Sequence, residues 1–376
     1  MVRTAKLPAD ESLPEIDRVE AMPHPREVID FTGNSQAEQA LLNGLKSGRL
    51  HHAWLLSGPQ GVGKATLAYR FARFLLSPVT SENLKGAIDL AVSRDDPAFR
   101  QVAAQSHPGL LVLRRPWQAR TKRHAKAITI DEARRLRSFF GQTAAGGAWR
   151  VVIIDSADEL NISAANAVLK SLEEPPAACV FLLISSAPGR LPVTIRSRCR
   201  ILRLGPLNED ETRFVTETSL GSAEESVPDT QTLEECIALA QGSPGAALRL
   251  LAGGGIDLHK QILAVFNSMP HTDYDLVHNL ADSVSGVGAD ERYALFHAML
   301  SDLVVRLVSH VAGSTQVPGG EAEIAARLIS PGTLAQWAAL WETLQREKAQ
   351  ADALNLDRKA LVMKAFFQIE EASLLK

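Results

Sequence analysis

The chain has 376 residues, with 40 Lys and Arg against 43 Asp and Glu, so its formal net charge is −3. That near-balance excludes a whole-surface attraction to nucleic acid or membrane, and any polyanion contact has to be local. The length suits two or three domains, and the three cysteines (Cys179, Cys199 and Cys236) have neither the CxxC spacing of a zinc site nor the density of a disulfide scaffold, which fits a reducing cytoplasm.

Residues 1–25 are rich in Pro and charge and read as a flexible segment with no signal-peptide pattern. No apolar run approaches the roughly 20 residues that span a bilayer, so no membrane partner is expected. From 26 to 205, short apolar runs alternate with helical patterns. The runs are Ala53–Leu56, Leu110–Leu113, Val151–Asp155, Val180–Ser185 and Ile201–Leu204. Their two-sided hydrophobicity predicts a buried parallel sheet with helices on both faces. Helices are expected at Leu67–Leu76 and at Ser163–Glu174, the second capped by Ser163 and ended by Pro175-Pro176. From 206 to 255 the pattern is helical: Glu209–Thr218 opened by Pro206 and Asn208, then Leu233–Gln241 and Ala246–Leu251, separated by Gly242-Ser243-Pro244-Gly245. Gly253-Gly254-Gly255 reads as a hinge. From 256 to 376 the chain is helical again, with stretches such as Tyr293–His310 and Leu334–Ala351 and a break at Ser314–Gly320.

After the first apolar run comes Gly58-Pro59-Gln60-Gly61-Val62-Gly63-Lys64-Ala65-Thr66, a phosphate-binding loop in strand–loop–helix context. Gly58, Gly61 and Gly63 allow the tight turn that points N–H groups and a helix N-terminus at phosphate oxygens, and Lys64 would reach the terminal phosphates. The residue after the lysine should be Ser or Thr, to hold Mg²⁺. It is Ala65, with Thr66 one position late. Arg150–Asp155 is a strand ending in a carboxylate, and Asp155 is placed as the second acidic motif of such a site. In hydrolytic AAA+ relatives a Glu usually follows and orients the attacking water. Here Ser156 follows, and Asp158 or Glu159 would substitute only if the turn brought one back. General-base groups contribute roughly 10²–10⁴-fold, so a chain lacking both functions would hydrolyse ATP slowly or not at all. ATP or ADP is the expected cofactor, with Mg²⁺ weakly held or absent, and neither zinc nor another protein-held metal is expected.

The run Asn166-Ala167-Val168-Leu169-Lys170-Ser171-Leu172-Glu173-Glu174-Pro175-Pro176, followed by Phe181-Leu182-Leu183 and then Leu191-Pro192-Val193-Thr194-Ile195-Arg196-Ser197-Arg198-Cys199, resembles bacterial clamp-loader subunits of the AAA+ class from about His52 to Leu251. Ala65, Ser156 and the lack of cysteine between Lys64 and Asp155 make it similar to the delta-prime branch, and unlike the motor (gamma/tau) branch. The resemblance implies three parts: a RecA-like P-loop domain with a parallel sheet (26–205), a small helical lid (206–255) and a helical collar for oligomerisation (256–376). It implies a hetero-oligomer, a pentamer, with motor and delta subunits as neighbours and the sliding clamp and primed DNA as its targets in cytoplasmic DNA replication. The implied role is a stator within the DNA polymerase III holoenzyme, with no polymerase site and little or no ATPase of its own. Ser197-Arg198-Cys199 resembles the family's arginine-finger motif, by which Arg198 would enter the neighbour's ATP site; Cys199 reads as packing. The alternative to this finger is a set of solvated arginines beside a strand.

Ser185 and Ser186 fall where the family carries its sensor-1 polar residue, equally well read as serines ending a strand. Gly245 falls where motor subunits carry the sensor-2 arginine, and Arg249 lies one turn further on. Arg114, Arg115, Arg120, Lys122, Arg123 and Lys126 around Trp117 form a basic stretch, read as a solvated connection in preference to a DNA contact. His51, His52 and His107 read as structural. Trp337 and Trp341 face one side of a helix, either core or interface. The other readings are a working motor of the same fold, rescued by Thr66 with Asp158 or Glu159, and an unrelated P-loop kinase, against which the Glu-Glu-Pro-Pro helix end and the Ser-Arg-Cys motif count.

Overall fold

A computed structural model describes residues 15, 18–19, 22–79, 84–120, 123–141, 149–223, 228–286, 288–314, 317, 319–354 and 356–375. The described residues fall into two compact units, Met1–Leu248 and Arg249–Lys376. Most of the expected flexible segment 1–25 lies outside the described residues. Of those within it, Met22 and His24 are buried, and Glu15 pairs with Arg26 at 2.6 Å.

The first unit is built on a five-stranded parallel sheet. Its elements in chain order are α1 (Ser35–Lys46), β1 (Ala53–Ser57), α2 (Lys64–Leu76), α3 (Pro97–Ala103), β2 (Leu110–Leu113), β3 (Trp117–Gln118), β4 (Arg123–His124), α4 (Ile130–Gly141), β5 (Arg150–Ile154), α5 (Ile162–Glu173), β6 (Cys179–Ser185), α6 (Val193–Arg196), β7 (Arg200–Arg203), α7 (Glu209–Ser222), α8 (Thr230–Ala240) and α9 (Pro244–Ala252), the last running across the boundary between the units. Strand order is β2-β5-β6-β1-β7, so β6 separates the strand that ends in the phosphate loop from the one that ends at Asp155. The register pairs Leu55 with Leu183 and Ile153 with Leu182, which puts both strand ends on one rim of the sheet.

Every residue of β1 and of β6 is buried. Successive side chains point to opposite faces: Trp54 and Leu56 join Leu67, Phe71 and Phe74 of α2 on one side, while Ala53 and Leu55 join Val168 and Leu172 of α5 on the other. This is why these strands read as continuous apolar runs, and the expected strand positions agree to within a residue. Helix α5 starts one residue earlier than expected because Asn161, not Ser163, is its cap: the Asn161 side chain accepts from Ala164 N–H at 2.8 Å. Asn208 and Glu211 form a reciprocal capping box at α7. The basic stretch, expected as a plain connection, contains the antiparallel pair β3–β4, with Trp117 edge-on to His124 at 5.1 Å. Its base is fixed by Arg114 to Glu15 at 3.2 Å and Arg115 to Glu159 at 2.7 Å; Lys122 lies outside the described residues.

The second unit is helical: α10 (Gly255–Ser268), α11 (Tyr274–Ser285), α12 (Asp290–Val311), α13 (Gly319–Leu328), α14 (Leu334–Leu354) and α15 (Arg358–Leu374). The expected glycine hinge is only a two-residue turn. Gly255 already belongs to α10 and is buried, and a Cβ there would lie 2.7 Å from Leu250 Cδ2. The expected break at Ser314–Gly320 lies partly outside the described residues, and α13 begins within it at Gly319. Helix α12 is long and apolar enough, by length and composition, to cross a membrane, but its Phe296, Leu300, Leu303 and Leu307 are buried in this unit. Phe266, Phe296 and Phe366 meet ring to ring at 6.3 and 6.1 Å. Trp337 is fully buried and Trp341 donates to Ser301 Oγ at 2.7 Å, so both tryptophans pack inward.

His297 on α12 is also buried, 4.5 Å from the Tyr293 ring. Burial, with Lys348 adding to it and Asp352 opposing, pushes its pKa down to about 4. The folded imidazole therefore stays neutral where the unfolded one takes up a proton. Stability is full above the ordinary histidine value and falls as pH drops from about 6.5 to about 4. Denaturant melts followed by tryptophan fluorescence should show this loss, about tenfold in the unfolding constant per pH unit, and His297→Leu should flatten it.

Candidate functional site

Strand β1 delivers the chain to the phosphate loop with no slack. Leu204 N–H donates to Ser57 O at 2.8 Å, and a Cβ on Gly58, whose φ is +153°, would lie 2.1 Å from Leu204 O. Only glycine lets the loop leave the sheet this close to β7. Gly61 and Gly63 have φ of +85° and +93°, and Gly63 is the left-handed N-cap of α2. With no side chain at that cap, the first-turn N–H groups of α2 are left to an anion. These features fit a nucleotide's phosphates.

Lys64 opens α2 and is 5 % exposed. Its ammonium bonds back to the loop, donating to Gly58 O at 2.7 Å and to Pro59 O, and reaches Ser186 Oγ at 3.0 Å. Ser186, the residue after β6, is therefore the serine that meets the lysine. Ser185 is fully buried and its Oγ accepts from Ala187 N–H at 3.2 Å. Ala65 packs against the apolar cluster under the sheet. Thr66 is half-buried and sits a further ~100° round the helix, so its hydroxyl points in a different direction from a group at position 65.

Asp155 follows β5 and is 8 % exposed, its N–H donating to Leu113 O at 2.9 Å. Ser156 next to it is left-handed, with φ +58°. The turn then runs as a 3-10 segment, Ala157–Glu159. Glu159 is committed to Arg115, and burial raises its pKa despite that cation. One Asp158 carboxylate oxygen is buried without a hydrogen-bond partner among the described residues. The residues present fit the phosphates better than they fit Mg²⁺: neither Ala65 nor Ser156 offers the side chain a metal-assisted hydrolysis would use there.

Arg198 lies just beyond α6. Its guanidinium donates to Thr194 O at 2.9 Å and pairs with Glu173, at the end of α5, at 2.8 Å. Its side chain is 37 % exposed. Arg200 instead lies over the Trp54 ring at 5.0 Å, and the Cys199 thiol is pushed up to about 12 by burial, which keeps it protonated and inert. Of the three arginines in this segment, Arg198 is held by two partners at the helix end with more than a third of its side chain reaching solvent. Arg249 belongs to the second unit, where burial lowers its pKa and the Asp302 carboxylate partly offsets that.

Gly245 comes directly onto the loop: its N–H donates to Gly61 O at 3.1 Å, while Ser243 Oγ donates to Gln60 O at 2.7 Å. Of the two serines expected at the sensor-1 position, Ser186 is the one that meets the lysine, and Ser243 belongs to the turn expected around Gly245. The contact of Glu173 with Arg198 was not among the expected ones. His52 Nε2 donates to Leu172 O at 3.1 Å and His107 accepts from Gly109 N–H, both structural contacts, and no metal-binding group of His, Cys, Asp or Glu occurs among the described residues.

A family profile described as DNA polymerase III, delta subunit, matches residues 33–208. The delta-prime subunit of DNA polymerase III from Pseudomonas aeruginosa is 38% identical over 60% of this chain and 64% of its own length. The delta-prime subunit from Escherichia coli is 29% identical over 88% of this chain and 92% of its own length. The tau subunit from Escherichia coli is 29% identical over 87% of this chain but 48% of its own length. The chain thus spans about two thirds of the first of these relatives and half of the tau protein. With a glycine loop on β1, a carboxylate following β5 and β6 set between them in a parallel sheet, the chain is similar over residues 33–208 to these DNA polymerase III subunits.

Proposed function

We propose that this chain is a delta-prime-type subunit of a DNA polymerase III clamp loader, which binds nucleotide weakly or structurally, does not turn it over, and lends Arg198 to the ATP site of a neighbouring motor subunit. The observation that carries the reading is the split between the two ends of the site. The phosphate cradle keeps its backbone form, while the positions that would serve metal and water are Ala65 and Ser156. Of the two alternative bases, Asp158 and Glu159, the second pairs with Arg115. Arg198 meanwhile sits at a helix end with its fork partly outward, which suits neutralisation of charge developing on a γ-phosphate.

On this reading 26–205 is the P-loop domain, 206–255 the lid and 256–376 the collar. The partners are motor and delta subunits, and the clamp and primed DNA are reached through the assembly. Nucleotide, ATP or ADP, would be held by the loop N–H groups and by Lys64 once its bonds to Gly58 and Pro59 are exchanged for phosphate oxygens. The nucleotide supplies a phosphate chain for the cradle to bind, and nothing in this chain then positions a water against it.

The competing assignment is an active motor subunit, and it makes the opposite forecast. The test is ATP turnover by the isolated chain and by the reconstituted loader, each with Lys64→Ala. The expected result is no Mg²⁺-dependent turnover by the chain alone, and no more than about a twofold change in the loader on Lys64→Ala, because passive binding residues do not enter the rate-limiting chemistry. Turnover by the isolated chain that Lys64→Ala abolishes would make it a motor.

A further inference from the structure

The turn that begins α9 is seated on the phosphate loop through main chain. Ser243, 6 % exposed, donates to Gln60 O at 2.7 Å and accepts from Ala246 N–H at 3.1 Å. Gly245 N–H donates to Gly61 O at 3.1 Å. A Cβ on Gly61 would lie 2.4 Å from Ser243 Oγ, and one on Gly245 would lie 2.8 Å from Gly61 Cα. Neither position accepts a side chain while the two backbones touch. On its other side the turn is pinned to the start of the helical segment: Leu207 N–H donates to Gly242 O at 2.8 Å, and a Cβ on Gly242, at φ +80°, would lie 2.3 Å from Leu207 O.

We propose that residues 242–245 are a latch that holds the start of α9 on the phosphate loop without nucleotide, and that nucleotide leaves this contact unchanged. The chemistry separates the two events. An anion in the loop is bound by N–H donors and by the lysine. The latch's own donors, the Ser243 hydroxyl and the Gly245 N–H, are already bonded to the Gln60 and Gly61 carbonyls and belong to the turn before α9, not to the loop N–H groups that would take up the anion. Position 245 has no room for a side chain that could reach a ligand, since a Cβ there would lie 2.8 Å from Gly61 Cα. Here the site of that side chain is closed by a glycine–glycine contact, so the position of α9 on the loop does not report on what the loop holds. The inference stands independently of the role assigned to Arg198.

The test is amide hydrogen exchange of the full chain at Gly245 and its neighbours, without nucleotide and with excess Mg·ADP or Mg·ATP, exchange at 58–64 recording loop occupancy. The expected result is slow exchange at Gly245 without nucleotide and a change of less than about twofold on adding it. Ser243→Ala and Gly61→Ala should each accelerate it by about tenfold or more. Ser243→Ala is the milder variant and keeps the test open should Gly61→Ala fail to fold. Fast exchange at Gly245 that nucleotide slows would overturn the proposal, because the ligand would then be what closes the contact. So would nucleotide that speeds the exchange, or a Ser243→Ala chain that exchanges like the unsubstituted one.

Discussion

On the proposed assignment, Arg198→Ala should lower ATP turnover at the loader site bordering this chain by about 10³-fold, the lower end of what a guanidinium supplied across an interface contributes in well-studied NTPases. The measurement is single-turnover hydrolysis in a reconstituted assembly whose other sites are silenced through their own phosphate-loop lysines. The size of the effect follows from chemistry that Ala cannot supply: a permanent, planar charge placed where negative charge develops in the transition state. Arg198→Lys should recover only part of the loss, because the ammonium keeps the charge without the fork. Glu173→Gln should change the rate by less than about fivefold, since an exposed ion pair is worth roughly 0–1 kcal/mol and Glu173 is itself 45 % exposed. Thr194 O still holds one edge of the guanidinium in that variant. A silent Arg198→Ala would remove the role assigned to this residue, and a large effect of Glu173→Gln would mean that the carboxylate enters the chemistry.

The parts of this molecule that were legible in the sequence are those fixed by local backbone chemistry or by two-sided burial. β1 and β6 are continuous apolar runs because both are covered on both faces, whereas of the edge strand β7 only Leu202 is buried. The glycines and Lys64 of the phosphate loop are legible because the turn itself demands them. The β3–β4 pair was not legible: its strands are two residues each, too short for any alternation, and it is held by Glu15 and Glu159 from elsewhere in the chain. The cap at α5 was misplaced because Ile162, exposed at the helix start, resembles core when read as a letter. The three glycines at 253–255 suggested a hinge by composition, whereas Gly255 is there because Leu250 leaves no room for a side chain. At the site itself, Ser186 meets Lys64 across 122 positions and Ser243 meets Gln60 across 183. Such pairings are set by the order of strands in the sheet, which periodicity does not encode.

Arg306→Met destabilises the second unit by about 3–5 kcal/mol, because it leaves Glu321 buried and unpaired by its main cation. Glu321 on α13 is 1 % exposed and Arg306 on α12 is 6 % exposed. The guanidinium binds both carboxylate oxygens, at 2.9 and 2.6 Å, and His259 on α10 lies 3.5 Å from one of them. Taking both ions out of water costs several kcal/mol each, and only the bidentate geometry offsets it. Removing one member therefore exposes the full desolvation cost of the other. Replacing both members, Arg306→Met with Glu321→Leu, removes both desolvation costs together with the attraction and should return stability to within about 1–2 kcal/mol of the unsubstituted chain. Urea denaturation of the single and double variants measures this directly. A double variant as unstable as Arg306→Met alone would mean that the helix pair is held by the shape of these side chains and not by their charges.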